Sequence, residues 1–400
     1  MRDIREEARA IFMAGVAAAD PFDAVARTLA DRAQSPALIL AVGKAARRMA
    51  EAALARFPGT PCLVVTNDEN ARALPGAQVL ASGHPVPDAR GAAAAETVIR
   101  AVQALTGPLL VLVSGGGSAL LPAPVAGVSL QDKAEVSRLL LASGADIRAM
   151  NLVRQNLSRL KGGGLARLAA PHPVTALILS DVVGDDLSTI ASGPTVAPLG
   201  GPAEARAALV RFGIWDRVPA PVRTHLGQAA PAGPLPPVEN QLIGSNAQSL
   251  AAMAAASPGA RVISRPIEGD VAAAARAICD AAGPGVTLWG GETTVVLRGQ
   301  GRGGRNQELS LRIAAEAARR GWPAPWACLQ GGSDGRDGPT DAAGGLVDDG
   351  TLGRIAAAGL DLDRILATND SYTALAAAGD LLMTGGTGTN VADLGVLIRP

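Results

Sequence analysis

An apolar run that ends in a loop of glycines, hydroxyl groups and acids recurs along this chain, and that recurrence limits the folds open to it. The loops read AVGK (41–44), SGGGS (114–118), SDVVGDD (180–186), GGET (290–293), GGSDGRDGPTD (331–341) and TGGTGTN (384–390). Runs such as LILAV and LLVLV do not alternate with polar residues, so they read as strands buried on both faces. With helical stretches between them they predict a parallel sheet covered on two sides. In open sheets of that kind ligands collect beyond the carboxyl ends of the strands. The loops are therefore expected to converge on a site.

Four hundred residues exceed one ordinary core, so two α/β domains are expected. The Pro- and Ala-rich stretch 228–238 reads as the linker, with one domain over 1–230 and a second over 238–400. Formal net charge is zero and aromatics make up 2% of the chain, which argues against a nucleic-acid partner. The uncharged stretch 101–131 is broken by glycines and prolines and is not read as a membrane span. The three cysteines are widely spaced and fit a reducing, cytoplasmic setting. The N-terminal stretch is amphipathic, with Ile4, Ala8, Ile11 and Val16 on one face, and lacks the apolar core of a secretory signal.

Of 36 basic residues only Lys44, Lys133 and Lys161 are lysines, and two of them adjoin glycines. Lysine is a compact charge that arginine does not mimic at a tight site. Lys44 follows a strand and opens a helix, where an ammonium is unfavourable unless an anion offsets it. Ser114, Gly115, Gly116, Gly117 and Ser118 let backbone N–H groups approach an anion, although GxxxxGK[ST] is absent, so this is no Walker loop. The alternative is a tight strand-to-helix turn. Asp181 stands where a carboxylate near phosphates would hold Mg²⁺, and Asp186 reads as a helix N-cap. Gly299, Gly301 and Gly304 spell GxGxxG, but the acid expected about 20 residues on is missing, so dinucleotide binding is disfavoured. Arg305 suits a phosphate or carboxylate instead. His84, in GHPVPD, reads as a loop histidine bonded to backbone, with a general base as the alternative.

Taken together, AVGKAA (41–46), GHPVPD (83–88), LVSGGGSALL (112–121), SDVVGDDLSTIASGPT (180–195), GGETTV (290–295), GRGGRNQEL (301–309), DGPTDAAGG (337–345) and TGTNVADL (387–394) resemble the glycerate 2-kinase family with a C-terminal MOFRL domain, whose members are often labelled hydroxypyruvate reductase. Two positions depart from the family pattern: Gly386 stands where a proline is expected, and Ala89-Arg90 where an acid is common. The resemblance implies a Rossmann-like domain, a second α/β domain holding the MOFRL segment at about 283–398, and an active site in the cleft between them. It implies transfer of the γ-phosphoryl of ATP to the 2-hydroxyl of D-glycerate with Mg²⁺. Lys44 and Arg305 match the family's key lysine and arginine. On this reading Ser114–Ser118 hold ATP phosphates, Asp181 or Glu292 helps hold Mg²⁺, and Asp334 accepts the hydroxyl proton. An NAD(P)H-dependent hydroxypyruvate reductase and a non-catalytic anion-binding module are the rival readings. The residues leave a homodimer open.

Overall fold

The computed structural model describes residues 3–228, 230 and 232–399. The chain forms two units: Pro21–Ile243, and the stretch ending at Asp20 together with the stretch from Gly244 onward.

The unit Pro21–Ile243 is built on a six-stranded sheet of β1 (Leu38–Val42), β2 (Cys62–Asn67), β3 (Gln78–Ser82), β4 (Leu109–Val113), β5 (Val174–Leu179) and β6 (Val238–Gly244), in the order β3-β2-β1-β4-β5-β6. β1 to β5 pair in parallel. Every residue of β1 and of β4 is buried, as their uninterrupted apolar sequences require. Leu38, Leu40, Val42, Leu109, Val111 and Val113 pack on one face with Ala94, Val98, Ile99 and Val102 of the helix Ala89–Gln103. That helix starts where Asp88 accepts a hydrogen bond from Gly91 N–H at 2.9 Å. Helices Leu130–Ala142, Ile147–Asn156, Pro202–Arg211 and Ala220–Gln228 share a separate apolar cluster around Leu139, Leu140, Val153 and Leu209. The strand order reverses direction between β1 and β4, which is the switch point of a Rossmann-like sheet.

The other unit carries β7 (Arg261–Val262), β8 (Ile267–Asp270), β9 (Gly285–Thr294), β10 (Ala327–Gly332), β11 (Gly344–Asp348), β12 (Leu381–Leu382) and β13 (Asp393–Arg399), ordered β12-β11-β10-β13-β9-β7, with β8 also on β9. Most of its pairings are antiparallel: β9 with β13, β13 with β10, β10 with β11 and β11 with β12. The parallel arrangement expected of the first sheet thus does not extend to the second. Side chains alternate between two cores. Leu288, Leu329, Leu346 and Val396 face Ile11, Phe12, Val16 and Met253. Trp289, Cys328, Val347 and Leu397 face Ile278, Leu309 and Ile313.

The expected division at 228–238 is corrected at two points. Strand β6 joins the edge of the first sheet, so residues 238–243 stay with the N-terminal part. The helix Ile4–Ala18 buries Ala8, Ile11, Phe12 and Val16 on the second sheet, so the start of the chain belongs with the C-terminal part. Ala229 and Pro231 of the expected linker lie outside the described residues. All three cysteines are buried and unpaired, and burial pushes the Cys62 thiol up to about 12. Among the described residues no helix is long and apolar enough to cross a membrane.

Candidate active site

In the larger unit three loops after neighbouring strands meet at the switch point. Gly43 follows β1 with φ +125°, a conformation that favours glycine, and a Cβ there would overlap Ser114. The loops after β1 and β4 are stitched together. Lys44 N–H donates to the Gly115 carbonyl at 2.9 Å, Ala45 N–H to Ser114 Oγ at 3.1 Å, and Ser114 N–H to the Val42 carbonyl at 2.9 Å. Gly116 takes φ +85° and opens the turn Gly117–Leu120. Over Gly115 lies the carboxylate of Asp181, from the loop after β5, and a Cβ on Gly115 would overlap it. A Cβ on Gly116 would sit 3.1 Å from His84 Cδ2, 3.2 Å from His84 Nε2 and 3.3 Å from Lys44 Cγ. Glycines 115 and 116 are therefore bare because Asp181, His84 and Lys44 close in on them. Burial raises the Asp181 carboxyl above the ordinary range, and the Lys44 charge opposes that shift. The structure thus brings Lys44, Ser114–Ser118 and Asp181 together.

Two further residues support this loop. Lys161 is buried, and its Nζ donates to the Ser118 carbonyl at 2.7 Å. Burial, with help from the charges of Lys133 and Arg154, drives its pKa well below that of an ordinary lysine. Ser118 Oγ also pairs with Ser192 Oγ at 2.7 Å, inside a segment where Ala191 and Ser192 both take positive φ. In the sequence Lys161 stands out as a rare lysine beside glycines, but nothing local marks this structural part. Lys133 plays a similar role, with Nζ donating to the Leu157 carbonyl at 3.0 Å. Asp186 is not the N-cap of a following α-helix. Its carboxylate instead accepts from Ser188 N–H at 2.9 Å and Ser188 Oγ at 2.7 Å, closing a turn before the short 3₁₀ segment Ile190–Ser192.

In the smaller unit the strand register lines up Gly291, Asp393 and Gly332 across β9, β13 and β10. The helix Arg305–Arg319 starts above this row. Arg305 is not a free clamp. Its Nε and Nη2 donate to the two oxygens of Asp393 at 2.6 and 3.0 Å, and Nη1 pairs with Glu292 at 2.9 Å. Glu292 is thus engaged by Arg305, and it stands in a different unit from Asp181, its fellow candidate for Mg²⁺. Asp334 Oδ1 accepts from Arg336 N–H at 3.0 Å and also bears on Asp393 electrostatically. Among Asp334, Asp337 and Asp341 of one glycine-rich loop, sequence alone does not single out Asp337. Its buried carboxylate accepts from Asn306 N–H at 3.1 Å and Gln307 N–H at 2.8 Å, capping the helix from a distant loop. Burial raises its pKa to about 7.

That cap bears on the GxGxxG motif. The helix amides that would face a pyrophosphate are already bonded to Asp337. A Cβ on Gly299 or Gly301 would lie 2.6 Å from Thr368 backbone atoms, so these glycines admit the protein's own chain. Arg302, which crowds the same loop, lies over the Tyr372 ring at 4.4 Å. Among the described residues no group of three or more His, Cys, Asp or Glu is placed to hold a metal.

Comparison with known proteins agrees with this fold. The model of a domain of unknown function, DUF4147, matches residues 7–227, and that of the MOFRL family matches 285–393. An Agrobacterium vitis protein that bears the name hydroxypyruvate reductase is 41% identical over 418 residues, spanning 98% of this chain and 94% of that one. A glycerate 2-kinase of Pyrococcus horikoshii is 35% identical over 434 residues, spanning 99% and 97%. The crystal structure of a glycerate kinase from Thermotoga maritima superposes with a TM-score of 0.92 at 35% identity, covering 99% of both chains. By sequence along nearly its whole length, and by fold, the chain belongs to the glycerate kinase family that joins a DUF4147 domain to a MOFRL domain.

Proposed function

We propose that this chain transfers the γ-phosphoryl group of ATP to the 2-hydroxyl of D-glycerate, releasing 2-phosphoglycerate and ADP. The observation that carries the reading is the convergence of Lys44, the bare backbone of Ser114–Ser118 and the Asp181 carboxylate at the switch point of a Rossmann-like sheet. Phosphoryl transfer asks a protein mainly for positioning and for charge set against the phosphate oxygens. In this scheme the N–H groups of the glycine turn hold phosphates, and the Lys44 ammonium neutralises the transferring group. Asp181 offers hard oxygens beside that turn, which fits Mg²⁺, an ion usually held by one or two carboxylates plus the substrate's phosphates. When bound, the ion would neutralise charge on the phosphate oxygens.

For Arg305, which stands in the other unit, the proposed part is that of an anion clamp that works by exchange. Asp393 fixes two of its nitrogens, while Glu292, its half-exposed partner at Nη1, is the contact an incoming carboxylate or phosphate displaces. Asp334 lies beside that cluster, with one carboxylate oxygen committed to its own turn. A reductase needs a dinucleotide cradle, and the one loop with the matching glycines is filled by Thr368 and capped by Asp337. Phosphorus NMR of purified protein with ATP, Mg²⁺ and D-glycerate is expected to show 2-phosphoglycerate and ADP. A 3-phosphoglycerate signal would overturn the regiochemistry. NADH oxidation with hydroxypyruvate and no phosphorylated product would overturn the kinase. Binding of ATP without turnover would favour the anion-binding module.

A further inference from the structure

His84 is the titratable side chain of the larger unit's loop cluster for which the scheme above has no use. It leaves β3 at the head of the GHPVPD loop, whose far end is tied down by Asp88 at the start of the next helix. Its ring edge, Cδ2 and Nε2, lies close over Gly116, and so does the Lys44 side chain. Both approach the point that a Cβ on Gly116 would occupy. The ring is half-buried, and among the described residues neither ring nitrogen has a hydrogen-bond partner. This replaces the expectation of a loop histidine bonded to backbone. An imidazole held in place without a partner, edge-on to an anion-binding turn and next to an ammonium, is placed to meet a ligand rather than to close a loop.

We propose that His84 is a catalytic residue, its ring nitrogen accepting the proton of the glycerate 2-hydroxyl as that oxygen attacks. The proposal rests on the phosphoryl transfer described above. The step balances as follows. The 2-oxygen forms a bond to the γ-phosphorus, and the bond from that phosphorus to the β,γ-bridging oxygen breaks. ADP leaves with the bridging oxygen and its electron pair, and the hydroxyl proton passes to the imidazole. The role needs a neutral ring near neutral pH. Burial, and after it the Lys44 charge, hold the His84 pKa below the ordinary histidine value, with Glu69 opposing them. Asp88 in the same loop and Asp181 over Gly115 are the other charged groups at hand.

The test compares wild type, His84→Ala and His84→Gln as full-length proteins with ATP, Mg²⁺ and D-glycerate. Glutamine keeps a hydrogen-bonding side chain but takes up no proton near neutral pH. Both variants are expected to melt with wild type, to lose about 100-fold in kcat, and to keep the KM for ATP within about threefold. Wild-type kcat/KM is expected to fall on an acid limb below the ordinary histidine range, and His84→Gln to lack that limb. Burial also raises the Asp181 carboxyl, so an acid limb that persists in His84→Gln belongs to a group other than His84 and overturns the proposal. A kcat within about threefold of wild type in either variant also overturns it. A wild type that gives no phosphoglycerate in the phosphorus spectrum overturns the transfer itself, and the His84 role with it.

Discussion

Lys44 and Lys161 are both lysines beside the glycine turn, yet their surroundings differ. Lys44 is half-buried and, among the described residues, its ammonium makes no hydrogen bond or ion pair. In the proposed transfer Lys44→Ala is therefore expected to lower kcat at least 100-fold, because a charge set against a transferring phosphoryl group acts mainly in the transition state. Its melting temperature is expected to stay within a few degrees of wild type. Steady-state kinetics beside a thermal melt check this, and full activity would remove Lys44 from the site. Lys161 instead holds the Ser118 carbonyl from inside the fold. The rarity of lysine in an arginine-rich chain drew attention to both residues. It did not tell them apart, because the difference is one of burial, and burial depends on the elements that close around each residue.

The helix Arg305–Arg319 shows how an element's start can be occupied by a distant part of the chain. Gly304 at its N-cap has no side chain to offer, and Asp337 supplies the missing acceptor. Its pKa, raised to about 7 from an ordinary carboxyl value, makes stability depend on pH with a definite sign. A raised folded-state pKa means that the folded form binds the proton more tightly. The stabilising contribution is full below the unfolded value near 4 and is lost as pH rises through about 7. Asp337→Asn is expected to flatten the fall in melting temperature between about pH 4 and pH 7. An unchanged slope in calorimetry across that range would contradict the assignment. From sequence this helix start looked open to phosphate, since the glycines and Arg305 were visible and the capping acid lay some thirty residues away in a loop with several equivalent aspartates.

Across the molecule, the first helix and the C-terminal sheet form one folding unit although most of the chain separates them. Phe12 is fully buried against Leu329, Leu346 and Leu394 of that sheet. Phe12→Ala is expected to cost about 3–5 kcal/mol. The loss is expected in the C-terminal unit, read by hydrogen exchange in β10 and β13; exchange that rises only around β1 and β4 would contradict the pairing. The apolar runs, read alone, were enough to call for a buried parallel sheet around β1 and β4. They also placed the glycine- and acid-rich loops at strand ends, because strands buried on both faces must be apolar throughout and their polar residues are left to the loops. Local sequence likewise marked Lys44, Ser114–Ser118 and Asp181. Three matters were left to tertiary structure: the antiparallel pairing of the second sheet, the return of β6 to the first, and the Asp393–Glu292 hold on Arg305. Each depends on a pairing between segments far apart in the chain, such as Arg305 with Asp393 or β9 with β13. Hydrophobic pattern and turn residues report a segment's own conformation and do not name its distant partner, so pairings of this kind are settled only when the whole chain packs.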